Sequence, residues 1–360
     1  MSEAQYLTAL CAFSYFGPAR TKLLLTYFGS AEKIWTAKKE EFVEIGISNL
    51  KAQEFVEFRK NFNPEKYFKK LKDLHIKVLT MLDVGYPENL KSVEDAPQVL
   101  YVRGELLPQD SNAVAMVGTR LMTTYGREVT NKLATEFAGY GVTIVSGLAL
   151  GVDAEAQRSA LSAGGRTIAV LASGLDIISP YSNKALALEF IKGSGALVSE
   201  YPLGHLPFKS DFAVRNRLIS GLSKAVVVVE GRMKSGTFYT VHAAAEQGRP
   251  VFAVPGPITS PASEGTNYLI QNGAKLITSS RDVIDELSLQ ISVDPVKINK
   301  IMPSGPEEEK LLGLLEVEPL HLDELVRILG LATSVVSARL TIMEMKGLVK
   351  TLGNSVYQKI

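Results

Sequence analysis

The spacing of apolar and polar positions changes twice along the chain. Up to about residue 75 apolar residues recur with a helical period, as in Arg20–Phe28, where Leu23, Leu24, Tyr27 and Phe28 are spaced for helical packing. Breaks at Gly17-Pro18, Gly29-Ser30 and Gly46 cut this region into short amphipathic helices. Ser30 and Thr36 precede helical runs and are the expected N-caps, because a hydroxyl there can accept from the free amides of a first turn. Further on, the runs become apolar on every side: Ala113–Val117, Val142–Val145, Thr167–Leu171, Ala196–Val198, Ala225–Val229 and Val251–Val254. Helical stretches such as Tyr125–Phe137 and Thr237–Gln247 lie between several of them. Strands with no polar face must be covered on both sides, and the alternating helices supply that cover. An α/β, doubly wound, mostly parallel sheet is expected.

The stretch 76–108, with VLTML, a Tyr86-Pro87 turn and Val99–Val102, reads as an extension of the same sheet. After it come a Pro-containing linker at 291–305 and helices at 306–316, 321–329 and 333–346. Two short β pieces follow, Leu348–Thr351 and Val356–Lys359, around Gly353-Asn354. Three helices and a hairpin outline a winged helix. The expected domains are therefore a helical unit at 1–75, an α/β core at 76–290 and a winged helix at 306–360.

Composition narrows the function without naming it. Of 360 residues 46% are hydrophobic and 21% charged, which suits a folded chain with a sizeable core and excludes a disordered one. Cys11 is the only cysteine, so neither an internal disulfide nor a cysteine-based zinc site can form. With no basic leader and no long apolar run, the chain is expected in the cytoplasm, off the membrane. A formal net charge of +1 argues against a uniformly basic nucleic-acid binder, so any such site must be a local cluster.

Doubly wound sheets take ligands at the carboxyl ends of their strands, and four elements fall there. AVAMVGTR places Gly118, Thr119 and Arg120 directly after a strand: a backbone free to approach an anion, a hydroxyl and a forked cation. VTIVSGLALGVDAEA places Ser146, Gly147, Gly151 and Asp153 before a helix, a glycine-rich loop whose amides suit a phosphate, although it is not a GxGxxG dinucleotide loop. In EYPLGHLPFKSDFAVRNRLISGLSK, Lys209, Phe212, Arg215, Asn216 and Arg217 crowd together. Cations beside an aromatic ring serve a single strand, the charges for phosphates and the ring face for a base. A core role for Phe212, with the arginines capping a helix, fits the spacing equally well. VVVVEGRMKSGTFYT gathers Lys234, Ser235, Gly236 and Thr237 at a strand-to-helix junction. Glu230 there is expected to pair with Arg232 or a site arginine, and His242 to pack. No nucleophile–base set, no metal-ligand spacing and no GxxxxGK[ST] loop stands out, so neither catalysis nor a cofactor is expected.

Taken together, VGTR, SGLALGVDAEA, TIAVLASGLD, SEYPLGHLPF, FAVRNRLISGLS, VVVVEGRMKSGT and AVPGPI with GTNYLIQNGA resemble the DprA/Smf DNA-processing family, in order, over about 80–280. The resemblance implies an extended Rossmann-like core between a helix-hairpin-helix or SAM-like N-terminal unit and a winged-helix tail. It implies a homodimer that binds single-stranded DNA and loads a RecA-type recombinase during natural transformation. Family pocket residues carry over onto Arg120, Ser146, Gly147, Lys209, Phe212, Arg215 and Arg217. The sequence departs from the pattern at Ala156-Gln157, where an Ala-His pair is usual, and at Ser179-Pro180, where Tyr-Pro is usual.

Two other readings compete. A nucleotide enzyme or sensor suits the phosphate-friendly loops, but the PGGxGTxxE motif of phosphoribohydrolase-type proteins is missing. A duplex-binding regulator would rest on the tail, whose expected recognition helix carries only Arg339 and Lys346, a small phosphate footprint better suited to protein contact.

Overall fold

The computed structural model describes residues 1–289, 306–345 and 348–359. Six helices come first: α1 (Glu3–Cys11), α2 (Pro18–Phe28), α3 (Ala31–Thr36), α4 (Lys39–Glu44), α5 (Asn49–Asn61) and α6 (Pro64–Asp73). Proline in the first turn opens α2, and Gly29 at φ 80° closes it in a left-handed conformation that a side chain would resist. Ser30 caps α3 by accepting from the Lys33 N–H. Thr36 caps nothing. It ends α3, and its hydroxyl donates back to Glu32 O and Lys33 O at 3.1 and 3.2 Å, which uses it up. The following helix starts after Lys38, whose N–H donates to Glu41 at 2.7 Å.

One sheet holds β1 (Ile76–Thr80), β2 (Val99–Gly104), β3 (Ala113–Val117), β4 (Thr143–Ser146), β5 (Thr167–Val170), β6 (Gly195–Ser199), β7 (Ala225–Val228), β8 (Val251–Ala253) and β9 (Lys275–Leu276). Their spatial order is 1-2-6-5-4-3-7-8-9. β2 runs antiparallel to β1 and β6, while the neighbours from β6 to β9 are parallel. The connections carry α7 (Glu88–Lys91), α8 (Thr124–Gly139), α9 (Val152–Ser162), α10 (Lys184–Glu189), α11 (Lys209–Gly221), α12 (Thr237–Glu246) and α13 (Glu264–Gln271), with α14 (Ser280–Leu287) after the last strand. The core is thus Rossmann-like and doubly wound.

Alternation along each strand sorts the layers. Ala115, Val117, Val145, Ile168 and Val170 face Leu218, Ile219 and Leu222 of α11 and Ala244 of α12. Val114, Met116 and Ile144 face Leu133 and Phe137 of α8 and Ala156 and Ala160 of α9. The N-terminal helices cover the rest of that second face: Leu10, Leu24, Phe42, Phe55 and Leu71 share one cluster with Tyr101, Ala169 and Leu197. Burying each such side chain is worth about 1.5–3 kcal/mol, which locks the helices to the sheet.

Residues Pro306–Val317, Leu322–Leu329 and Thr333–Met345 are helical, and β10 (Leu320–His321), β11 (Val349–Gly353) and β12 (Val356–Lys359) pair in the order 10-12-11. This is a winged helix around Leu311, Leu325, Leu340 and Val349. β10 had no sequence signal, because two residues cannot show alternation. The expected linker at 291–305 and Lys346 lie outside the described residues. Among the described residues no single helix is long and apolar enough to cross a membrane.

Candidate nucleic-acid interface

From β3 the chain steps to β4, β5 and β6 on one side, then returns to β7 on the other. The winding reverses at β3, and the loops leaving β3 and β7 diverge into a crevice. A cavity of about 740 Å³ opens there, lined from three elements by Gly118, Thr119 and Arg120, by Lys209, Phe212, Arg215 and Asn216, and by Ser235, Gly236 and Thr237.

The first loop is held by its backbone. A Cβ on Gly118 would stand 2.7 Å from Val152 Cγ2 and 2.8 Å from Glu230 O, so only glycine fits. Thr119 donates its N–H to Glu230 O at 2.8 Å, and its carbonyl accepts from Val152 N at 3.2 Å. Held this way, the loop leaves Arg120 exposed, with its guanidinium 5.6 Å from the centre of the Phe212 ring. Glu230 pairs with no arginine. Its buried carboxylate accepts from Thr123 N–H and Oγ1 at 2.9 and 2.5 Å, where the free amides at the start of α8 favour an anion.

Helix α11 supplies the ring and two cations. Its start is fixed by Asp211, which accepts from Phe208 N–H at 2.9 Å. Lys209 and Phe212 are three residues apart and share a face, the lysine exposed and the ring half-buried. Arg215, one turn further, is 4% exposed. It donates to Gly147 O at 3.0 Å and to Val170 O, and its charge lies 5.8 Å from the same ring centre. Burial pushes its guanidinium down to about 10, and Asp153 opposes that shift. Burial likewise raises the Asp153 carboxyl, against the pull of Arg215 and the Gly147 amide.

Ser146 and Gly147 lie beneath the cavity rather than on its wall. Ser146 is buried and donates to Met116 O at 2.6 Å. Gly147 donates to Asp153 at 3.0 Å, and a Cβ there would sit 2.8 Å from both Arg215 Nη2 and Asp153 Oδ2. Arg217 is not brought to the crevice. It turns to the far side of α11, bonds the buried Glu200 and lies 3.1 Å from Asp95.

At the fourth element Ser235, Gly236 and Thr237 bring the amino end of α12 to the cavity, and Asn216 Nδ2 donates to Gly236 O at 3.3 Å. Lys234 is exposed, with φ 58°, outside the cavity lining. His242 is exposed rather than packed. Gln157, where the family's His is usual, is buried and donates to Ile168 O at 3.1 Å. Tyr239 also lines the cavity, 59% exposed, and was not picked out by the sequence reading. The available signal was an aromatic residue in the first turn after the SGT triplet. Among the described residues no group of three or more His, Cys, Asp or Glu side chains could hold a metal ion.

The sequence model for DNA recombination-mediator protein A matches residues 77–288, which include every residue of this crevice. The chain belongs to that family. A model of the family's own winged-helix domain matches residues 290–354. Protein Smf of Synechocystis is 34% identical, over 99% of this chain and 99% of its own. The DNA processing protein DprA of Bacillus subtilis is 45% identical over 56% of this chain and 68% of its own. Among solved structures, DNA processing protein A of Streptococcus pneumoniae superposes with a TM-score of 0.70 at 34% identity, covering 81% of this chain and all of its own. That of Helicobacter pylori, described for its single-stranded DNA binding mode, does so with a TM-score of 0.54 at 34% identity, over 60% and 96%.

Proposed function

We propose that the crevice binds single-stranded DNA and that the protein, as a homodimer in the cytoplasm, hands this DNA to a RecA-type recombinase in natural transformation or general recombination. The observation that carries the reading is Phe212, with the guanidinium of Arg120 at 5.6 Å and that of Arg215 at 5.8 Å from its ring centre. A base stacks on the ring, worth about 1–3 kcal/mol. Exposed Arg120 and Lys209 take the flanking phosphates, and the amino end of α12 offers amides to another. Arg215 is already engaged by Gly147 O and holds the floor in place. Ser146 and Gly147 act through it, fixing the loop on which Asp153 and Arg215 meet. Lys234, outside the cavity, extends the cationic surface along the strand's path. The Helicobacter pylori relative, described for its single-strand binding, supports the assignment.

In this reading the protein holds DNA and does not cleave it. The experiment is recombinase assembly on single strands coated with a single-strand-binding protein, with and without this protein. Faster filament formation, lost with Phe212→Ala, is the expected result. No acceleration, or turnover of free nucleotides by the purified chain, would overturn it.

A further inference from the structure

The sheet has two ends. At one, β9 is two residues long; at the other, β1 is five residues long and pairs only with β2. Its ladder runs from Ile76↔Arg103 to Thr80↔Val99, and beyond it Met81 N–H donates to Gln98 O at 3.3 Å. Inward and outward backbone groups alternate in an antiparallel pair. Lys77 and Leu79 therefore bond toward β2, while Ile76, Val78 and Thr80 turn their N–H and C=O outward. Thr80 has its outward N–H taken by Asp83 at 2.6 Å. Ile76 and Val78 have no partner for theirs among the described residues.

Beside this open edge lies a groove of about 480 Å³ between α1, α6 and β1, with Ala4, Thr8, Phe68, Leu71, Ile76 and Val78 among its lining. Lys72, His75 and Lys77 also line it, and neither lysine has an ion-pair partner among the described residues. Natural sheets usually blunt such an edge with charge, and Lys77 does so here. A second copy pairing antiparallel along the strand would bring lysine toward lysine, which disfavours self-association. A chain of opposite charge meets no such penalty.

We propose that β1 accepts an extended, acidic segment of another protein as an added strand. Main-chain bonds form to Ile76 and Val78, alternate apolar side chains enter the groove beside Lys72, and the carboxylates between them lie on the opposite face with Lys77. Strand addition of this kind takes affinity from the backbone and specificity from the side-chain pockets. The edge is built from elements other than those of the crevice, so it leaves the DNA site free.

The test uses the full chain and a fluorescein-labelled Asp-Val-Asp-Val-Asp-Val-Asp peptide, followed by anisotropy at low salt. Saturable binding is expected, weakened roughly tenfold or more when Lys72→Glu and Lys77→Glu are combined. Single-stranded DNA affinity should stay unchanged in that variant. Val78→Pro removes only an outward N–H and should abolish peptide binding. Should that variant fail to fold, the peptide N-methylated at alternate residues supplies the same deletion from the other side. Equal binding of a Lys-for-Asp peptide, or no saturation, would overturn the proposal. So would loss of DNA affinity in the charge-reversed protein, which gives the rim to nucleic acid, or a dimer that Val78→Pro dissociates.

Discussion

Arg215 and Arg217 stand two positions apart on α11 and serve opposite sides of it. Two residues turn a helix by about 200°, so Arg215 enters the floor of the crevice, at 3.0 Å from Gly147 O, while Arg217 bonds Glu200 and Asp95 on the far side. One basic cluster in the sequence is therefore two structural devices.

Arg217→Ala should cost stability rather than DNA contacts. Its side chain is 11% exposed and that of Glu200 8%, so the substitution strands a buried carboxylate. The expected loss is about 3–5 kcal/mol, read by denaturant unfolding. Adding Glu200→Gln should recover part of it, and single-strand affinity of the folded fraction should keep its salt slope.

Two glycines of the crevice should respond oppositely to alanine. At Gly118 the new methyl meets Val152 Cγ2 at 2.7 Å and the carbonyl of Glu230 at 2.8 Å, and the carbonyl cannot move away. A loss of about 1–3 kcal/mol is expected. Nothing lies within 4 Å of the methyl at Gly236, whose φ is −56°. Gly236→Ala should leave thermal stability intact and weaken DNA binding only by keeping a phosphate from the α12 amides.

Alkaline pH should destabilise the junction between the N-terminal helices and the sheet. Burial pushes the Cys11 thiol from 9.0 up to about 12, and the Tyr67 hydroxyl, 2.9 Å from that of Tyr101, from 10.0 up to about 12. The folded state keeps both protons that the unfolded chain releases, so their stabilisation is whole below pH 9 and is lost as pH rises toward 12. Unfolding free energy measured across that range should fall, and half-buried Cys11 should react with thiol reagents at pH 8 more slowly in the folded chain than in the unfolded one.

Much of the fold was legible because strands such as Ala113–Val117 and Ala225–Val228 are apolar on both faces, a pattern that helices do not need. The site was legible in part for the same reason: Gly118-Thr119-Arg120 and Ser235-Gly236-Thr237 directly follow β3 and β7, and the sheet order puts those two strands side by side. What escaped depends on contacts far apart in sequence. Arg217 is claimed by Glu200, 17 residues away, and Glu230 by the start of α8, 107 residues away. Spacing cannot show either. Within α11, helical phase separates Arg215 from Arg217, a distinction that the crowding of basic residues in the sequence does not make.

The most direct test is titration of the protein with fluorescent single-stranded and duplex DNA of equal length over a range of salt, beside Arg120→Ala and Phe212→Ala. Preference for the single strand is expected, with Arg120→Ala flattening the salt slope by about 0.7 and Phe212→Ala weakening binding by about 1–3 kcal/mol without changing it. Equal, weak binding of both forms, indifferent to either substitution, would contradict the assignment of the crevice.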